Sequence, residues 1–487
     1  MKPDYQIGII GAGFAGLVAA LRLKKNQQDS FIIFERATEV GGTWRDNVYP
    51  GCACDVASPL YSFADEPYAN WNNMFGKQPE ILQYMIEVVA KNDLRKHIKF
   101  NTNITNATFL PQIGCWQVTD NQNNTTTVKI LVGGLGPLNR PNIPKFEGMS
   151  NFKGKLFHSS EWDTNYDLTG KKVAVIGTGA SVIQIVPNII DTLANLTIFQ
   201  RTPAWIADKL DMVFSEKSKQ RFKQFPSLIK LQREGHFLLN EFFGKGFVGS
   251  KWLNKVMTWV SLQKLKNEVA NPDVRKKLTP NYTIGCKRIL RSNDFYPVFN
   301  RENVALVTEP IDTFTQNGIK TTDGKEHAFD AVILGTGFHV ADLNFPIRII
   351  GKNGKNLIDV WKKSGGEAFM GTTVADFPNL TFILGPNTGL GHNSVVHIME
   401  SQMNYIMQYI ADIEKLGENG YLDVKQNVQD EYNQNLQKQF DGTVWTSGCQ
   451  SWYMNGDGKI SSLYPRLNTA FRKMTKTFNI NDYQVVT

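Results

Sequence analysis

Apolar positions along the chain fall into two blocks built on one plan. The first runs apolar from Tyr5 to Ile10, which predicts a short buried strand, and stops at Gly11-Ala12-Gly13-Phe14-Ala15-Gly16. Phe14, Leu17, Val18 and Leu21 then recur at the spacing of one helical face. A second apolar strand, 31–34, ends at Glu35, nineteen residues after Gly16. The plan returns at 172–176, followed by Gly177-Thr178-Gly179-Ala180-Ser181-Val182. Val182, Ile185, Val186 and Ile189 mark a helix that Pro187 is expected to bend, and 196–199 is the next strand. Apolar runs at 132–136 and 332–338 end in small residues, which predicts two crossings of the chain between domains.

The glycine spacing has a chemical reason. Gly11 permits a tight turn, Gly13 lets backbone approach a pyrophosphate, Gly16 lets helix and strand pack closely, and the helix N-terminus faces phosphate. Gly11, Gly13, Ala15 and Gly16 therefore form one candidate dinucleotide site, with Glu35 placed to bind ribose hydroxyls. Gly177, Thr178, Gly179 and Ser181 form a second, in which Val182 departs from the usual glycine or alanine. Aligning the strand ends sets Glu35-Arg36 against Gln200-Arg201. A carboxylate repels a 2′-phosphate and an arginine pairs with it, so the first fold is expected to hold FAD and the second NADPH.

The fold class predicted is α/β, with two Rossmann-like dinucleotide-binding domains for FAD and NADP and a helical insert. The expected boundaries are 1–140 for the first part of the FAD domain and 146–208 for the first part of the NADP domain. The insert takes 209–280, the NADP domain resumes over 281–336, and the FAD domain resumes over 337–487. In the insert, Leu253, Val256, Met257 and Val260 read as one buried face, and Asn271-Pro272-Asp273 opens a helix that Thr279-Pro280 closes. This lysine- and aromatic-rich stretch suits a tunnel wall or domain packing, and also a membrane surface.

Four motifs narrow the chemistry. Phe152, Gly154, His158, Trp162 and Asp163 fill every fixed place of the Baeyer–Villiger monooxygenase fingerprint, and Gly41-Gly42-Thr43-Trp44, Tyr49-Pro50-Gly51 and Asp55 match a second signature. Gly285-Cys286-Lys287-Arg288 resembles that family's Lys-Arg pair, and Ser451-Trp452-Tyr453 its segment closing over the nicotinamide. The resemblance spans Gly11 to about Arg466. It implies an FAD-containing, NADPH-dependent enzyme that converts ketones and O2 to esters or lactones through a C4a-peroxyflavin. Related flavin-containing monooxygenases oxidise amine nitrogen or sulfide sulfur instead. It further implies Arg288 as the catalytic cation, Asp55 as its partner, and Lys287 with Arg201 and Thr202 around the 2′-phosphate. Thr43, Trp44 and Tyr61 would lie against FAD, and Trp452 against the NADP ribose. Other readings stand beside these: Asp55 suits a turn, Lys287-Arg288 a basic surface loop, Trp452 a core position, and His158 a structural or hinge role.

Bulk properties add boundaries. The 487 residues carry a net charge of +8, read as solubility and attraction of anionic cofactors rather than nucleic-acid binding, for which no motif is present. No apolar run approaches the roughly 18 residues of a membrane span, and no secretory leader is expected. Five cysteines predict no disulfide framework and suggest a reducing cytoplasm, as a monomer or weak oligomer. Cys52 and Cys54 lack the spacing of a redox pair, and no metal site is expected.

Overall fold

The computed structural model describes residues 2–340, 346–449 and 451–487. Strand β1 (Tyr5–Ile10) leads through Gly11 into α1 (Phe14–Lys25), whose predicted apolar face is buried throughout. Then come β2 (Phe31–Phe34), α2 (Thr43–Asp46), α3 (Gln78–Lys91), β3 (Ile98–Lys99), β4 (Ile104–Leu110), β5 (Cys115–Asp120) and β6 (Thr125–Gly133). The next stretch holds β7 (Lys155–His158), β8 (Lys172–Ile176), α4 (Val182–Ile189), β9 (Asn195–Phe199) and β10 (Ile206–Ala207). Four helices follow: α5 (Glu216–Gln224), α6 (Pro226–Gly244), α7 (Lys251–Glu268) and α8 (Pro272–Leu278). After them lie β11 (Leu290–Arg291), β12 (Val304–Val307), the antiparallel trio β13 (Ile311–Phe314), β14 (Gly318–Thr321) and β15 (Glu326–Ala328), and β16 (Ala331–Leu334). The last part adds β17 (Arg348–Ile350), α9 (Leu357–Ser364), β18 (Leu380–Phe382) and α10 (Val395–Ile413).

Two sheets carry the repeat. The larger has the order β17-β4-β5-β6-β1-β2-β3 with β18 beside β6, and the smaller β12-β9-β8-β16-β7. The parallel run β3-β2-β1-β6 in one corresponds to β12-β9-β8-β16 in the other. The chain leaves the first sheet after β6 and rejoins it after β16. The two crossings lie side by side: Asn142 N–H donates to Gly337 O at 2.8 Å, and His339 N–H to Arg140 O at 2.9 Å. The fingerprint Phe152–Asp163 stands beside this crossing as packing. His158 is buried, its Nδ1 lies 2.8 Å from Ser160 Oγ, and its ring meets Phe338 edge-on. Gly154 is forced, since a Cβ there would sit 2.6 Å from Asp330 O. These contacts tie His158 to the crossing through Ser160 and Phe338.

The insert is helical as expected, and Asn271 Oδ1 caps α8 by accepting from Asp273 and Val274 N–H. The buried face of α7 differs from the expected one. Leu253 is buried, but Val260 is 41% exposed, and Ser261, Lys264 and Leu265 turn inward instead. Polar partners decide this: Lys264 Nζ is drawn in to Asp208 and Glu268, each at 2.6 Å.

An inner ion pair ties α6 to α10. Arg233 Nη2 meets Glu400 Oε2 at 2.7 Å, both nearly buried, while Arg233 Nη1 reaches the carbonyls of Pro59, Leu60 and Ser62. Glu400→Ala leaves a buried cation without its charge partner. We expect it to lower the unfolding free energy by about 3 kcal/mol, read as a shifted denaturant midpoint of the flavin-loaded protein. Glu400→Gln, which keeps a hydrogen-bond acceptor, is expected to lose less.

Candidate active site

The first cradle is built as its glycines require. Gly11 has φ +96° and its N–H bonds Phe34 O at 2.8 Å, closing the turn across β2. A Cβ on Gly16 would fall 1.8 Å from Gly11 O, so no other residue fits. Ala15 is buried behind the loop, and Gly13 stands against Gly42, whose own Cβ would lie 3.2 Å from Gly13 Cα. The Gly41-Gly42 turn thus roofs the Gly11–Gly16 loop and starts α2 at Thr43. Glu35 is 4% exposed and accepts from Ala12 N–H at 2.8 Å, Ala37 N–H at 3.0 Å and Arg45 Nη1 at 2.9 Å. These bonds fix the carboxylate at the tip of β2 beside the loop. Trp44 Nε1 donates to Tyr61 OH at 3.1 Å, and Tyr61 packs on Phe14. Thr43, Trp44 and Tyr61 therefore flank the same loop.

The second cradle repeats this geometry. Gly177 has φ +117° and bonds Phe199 O at 2.9 Å, while Gly134 and Gly335 hold matching places with N–H bonds to Ile10 O and Ile176 O. The departure at Val182 is accommodated by Gly335, where a Cβ would lie 2.1 Å from Val182 Cγ2. Gly179 faces open space, Thr178 Oγ1 donates to Thr202 O at 2.9 Å, and Ser181 precedes the first turn of α4. Gln200 is buried, with Nε2 donating to Lys277 O, so the place of Glu35 is taken by a residue turned inward. Arg201 and Lys287 lie close enough to interact, and burial together with Arg201 lowers the Lys287 ammonium below its ordinary value. Neither makes an ion pair among the described residues. Two neighbouring cations without a carboxylate fit a phosphate.

Between the cradles, Arg288 Nε donates to Asp55 Oδ2 at 2.9 Å and Nη2 to Oδ1 at 2.6 Å, joining residues 233 positions apart. Their side chains are 31% and 22% exposed. Burial alone would raise the Asp55 carboxyl, but the Arg288 guanidinium outweighs it and holds the group below its ordinary range. The Asp55 carboxylate in turn pushes Arg288 further up, so the cation is permanent. The Asp55 loop is set by α4 of the second fold. Gln184 accepts from Tyr49 OH at 3.2 Å and from Ala53 N–H at 3.3 Å, and donates to Ala53 O at 3.0 Å. Gly51 (φ +77°) lies so close that a Cβ would meet Asn188 Nδ2 at 2.3 Å. Cys52 and Cys54 are free and buried, and burial pushes the Cys52 thiol up to about 11.

Three residues enter the site that sequence reasoning did not assign. Gln184 lies on the side of α4 away from Val182, Ile185, Val186 and Ile189, and helical periodicity carries no signal for its contacts. Arg291 feels the charges of Asp55 and Arg288, and its guanidinium makes no hydrogen bond among the described residues. Tyr453 is 1% exposed, sits near Arg288 and Asp55, and has a buried hydroxyl without a hydrogen-bond partner among the described residues; burial pushes it up to about 12. The neighbouring Trp452 is 46% exposed, which removes the core-packing reading for that residue. The cysteine expectation is corrected too. Cys286 and Cys449 form a disulfide, because the fold brings residues 163 apart to a Cα separation of 6.3 Å, which composition cannot show.

Comparison with known proteins agrees with this geometry. A family model described as flavin-binding monooxygenase-like matches residues 4–363. The chain is 43% identical over 487 residues to a Baeyer-Villiger monooxygenase of Pseudomonas aeruginosa, covering 99% of this chain and 92% of the relative. It is 38% identical over 484 residues to a Baeyer-Villiger monooxygenase of Streptomyces coelicolor, with the same coverages. Among solved structures it resembles OTEMO in complex with FAD and NADP, with a TM-score of 0.88, 27% identity and full coverage of both chains. A closed structure of cyclohexanone monooxygenase matches with a TM-score of 0.88 and 26% identity, again over both whole chains. The chain belongs to the flavin-binding monooxygenase-like family.

Proposed function

We propose that this protein is an FAD-containing, NADPH-dependent Baeyer–Villiger monooxygenase that turns a ketone into an ester or lactone. One ketone, one O2, one NADPH and one proton give the ester, water and NADP+. The observation that carries this reading is the forked Arg288–Asp55 pair set between two dinucleotide cradles. FAD, when bound and reduced by NADPH, supplies the activation of dioxygen.

The chain's own residues supply the rest. Arg288 presents a charge that cannot be lost to the oxygens on which negative charge develops, and a prepositioned cation in a partly buried cleft stabilises such charge strongly. Asp55 holds the guanidinium plane in one orientation through two bonds. Arg201, Lys287 and Thr202 bind the 2′-phosphate, and the second cradle, Gly177, Thr178, Gly179 and Ser181, binds the NADPH pyrophosphate. Gly11, Gly13, Ala15, Gly16, Glu35, Thr43, Trp44 and Tyr61 hold FAD. Trp452 reaches the NADP ribose. We assign the FAD domain to 1–140 and 337–487, the NADP domain to 146–208 and 281–336, and the insert to 209–280. No helix among the described residues is long and apolar enough to cross a membrane. We place the enzyme in the cytoplasm as a monomer or weak oligomer.

The test is product analysis by gas chromatography, after incubating the yellow protein with NADPH, air and a panel of ketones and sulfides. Ester or lactone formed in step with NADPH loss is the expected result. Sulfoxide alone, with every ketone returned unchanged, would assign the chain to heteroatom oxidation and take from Arg288 its role.

A further inference from the structure

The Cys286–Cys449 disulfide joins two segments that meet at the site. Cys286 is buried and directly precedes Lys287 and Arg288. Cys449 is partly exposed and stands three residues before Trp452 and four before Tyr453. Tyr453 returns to the Arg288–Asp55 pair, buried in a cluster with Phe247, Val444, Trp445, Ile460 and Leu463. Beyond it the chain is a run of tight turns: Asn455 Oδ1 accepts from Asp457 N–H at 3.1 Å and Lys459 N–H at 2.9 Å, and Met454 bridges to Ile460. Val444 and Trp445 on one side and Tyr453 on the other are held by packing, and Cys449 between them is tied covalently to the turn bearing the two cations.

We propose that this disulfide is a redox-sensitive strap that positions the Trp452–Tyr453 segment against the Lys287–Arg288 turn, so that its reduction weakens the hold on NADP. The proposal rests on the NADP-binding roles given above to Lys287 and Trp452. A cross-link fixes the distance between two groups that must grip one ligand, and removing it lets the ligand-binding segment open at lower free-energy cost. The two sulfurs differ in access and in chemistry. A dithiol attacks at Cys449, the partly exposed residue of the pair, and forms a mixed disulfide there, expelling Cys286 as thiolate. The neighbouring Lys287 and Arg288 charges favour that leaving group. The second thiol of the reductant then attacks the mixed disulfide. Two protein thiols result, the dithiol is oxidised to its own disulfide, and electrons and protons balance. In a reducing compartment a disulfide is characteristically transient or redox-sensing, which suits a strap that can be released.

The experiment has two stages, neither of which needs ketone turnover. Holoenzyme purified without reductant is denatured and alkylated, before and after dithiothreitol, and weighed by mass spectrometry. Three alkylated cysteines rising to five, with a linked Cys286–Cys449 peptide, is the expected count; five without reduction overturns the proposal. NADP+ affinity and the hydrogen peroxide released per NADPH are then measured for oxidised, reduced and Cys449→Ser holoenzyme. Reduction is expected to raise the Kd for NADP+ about fivefold or more and to increase peroxide release. Cys449→Ser should reproduce both effects, show no further response to dithiothreitol, and retain its FAD. Should the variant fail to fold, the reduced native chain alone decides. An unchanged Kd and unchanged peroxide release after complete reduction would make the bond a structural staple and overturn the strap.

Discussion

Arg288→Ala is expected to give a folded yellow protein that still oxidises NADPH but forms ester at about a thousandth of the native rate or less. The guanidinium is held in place by the Asp55 carboxylate, through bonds of 2.9 and 2.6 Å. Its removal deletes the charge and also leaves Asp55 as a partly buried carboxylate in the cleft, adding repulsion where negative charge must develop. Arg288→Lys restores the charge but not the fork, so recovery should be small. Stopped-flow flavin reduction and chromatographic product analysis separate the two halves of the reaction: reduction by NADPH should persist while ester formation collapses. Ester made at the native rate by Arg288→Ala would remove this residue from the mechanism.

The second large effect is on cofactor choice. Arg201→Ala with Lys287→Ala is expected to raise the KM for NADPH about 30- to 100-fold, corresponding to roughly 2–3 kcal/mol for two charged contacts to the 2′-phosphate, one of them exposed and weakened by solvent. The KM for NADH, which lacks that phosphate, should change little. The ratio of the two KM values is the measurement, since it cancels general damage to the fold. The KM for NADPH of the native chain should also rise with ionic strength, and the double variant should lose most of that dependence. Equal weakening of both cofactors would place the phosphate elsewhere.

Strands, glycine turns and caps were legible because their causes are local. The apolar runs 5–10, 31–34 and 172–176 became β1, β2 and β8 over the same residues, and Asn271 capped α8 as its type dictates. The exchange of Glu35 for Gln200-Arg201 sits at fixed distances from two glycine turns, so the chemical difference between the cradles could be read from neighbours in sequence. The Val182 exception has its steric answer in Gly335, a glycine just past the end of β16 and distant in sequence.

What tertiary structure decided are the contacts between distant segments. The family resemblance implied the Asp55–Arg288 pair, but its forked geometry and its depressed carboxyl depend on α4 docking through Gln184 and Gly51. The inward turn of Lys264 on α7 follows from Asp208 and Glu268, not from helical periodicity. Five cysteines cannot reveal that two of them, 163 residues apart, are brought together beside the Lys287–Arg288 turn. The sequence by itself determined two nucleotide cradles, their different charge preferences and the chain order that nests one within the other. The fold alone determined which side chains meet in the cleft, because those meetings are set by packing between elements, and periodicity within an element carries no record of its neighbours.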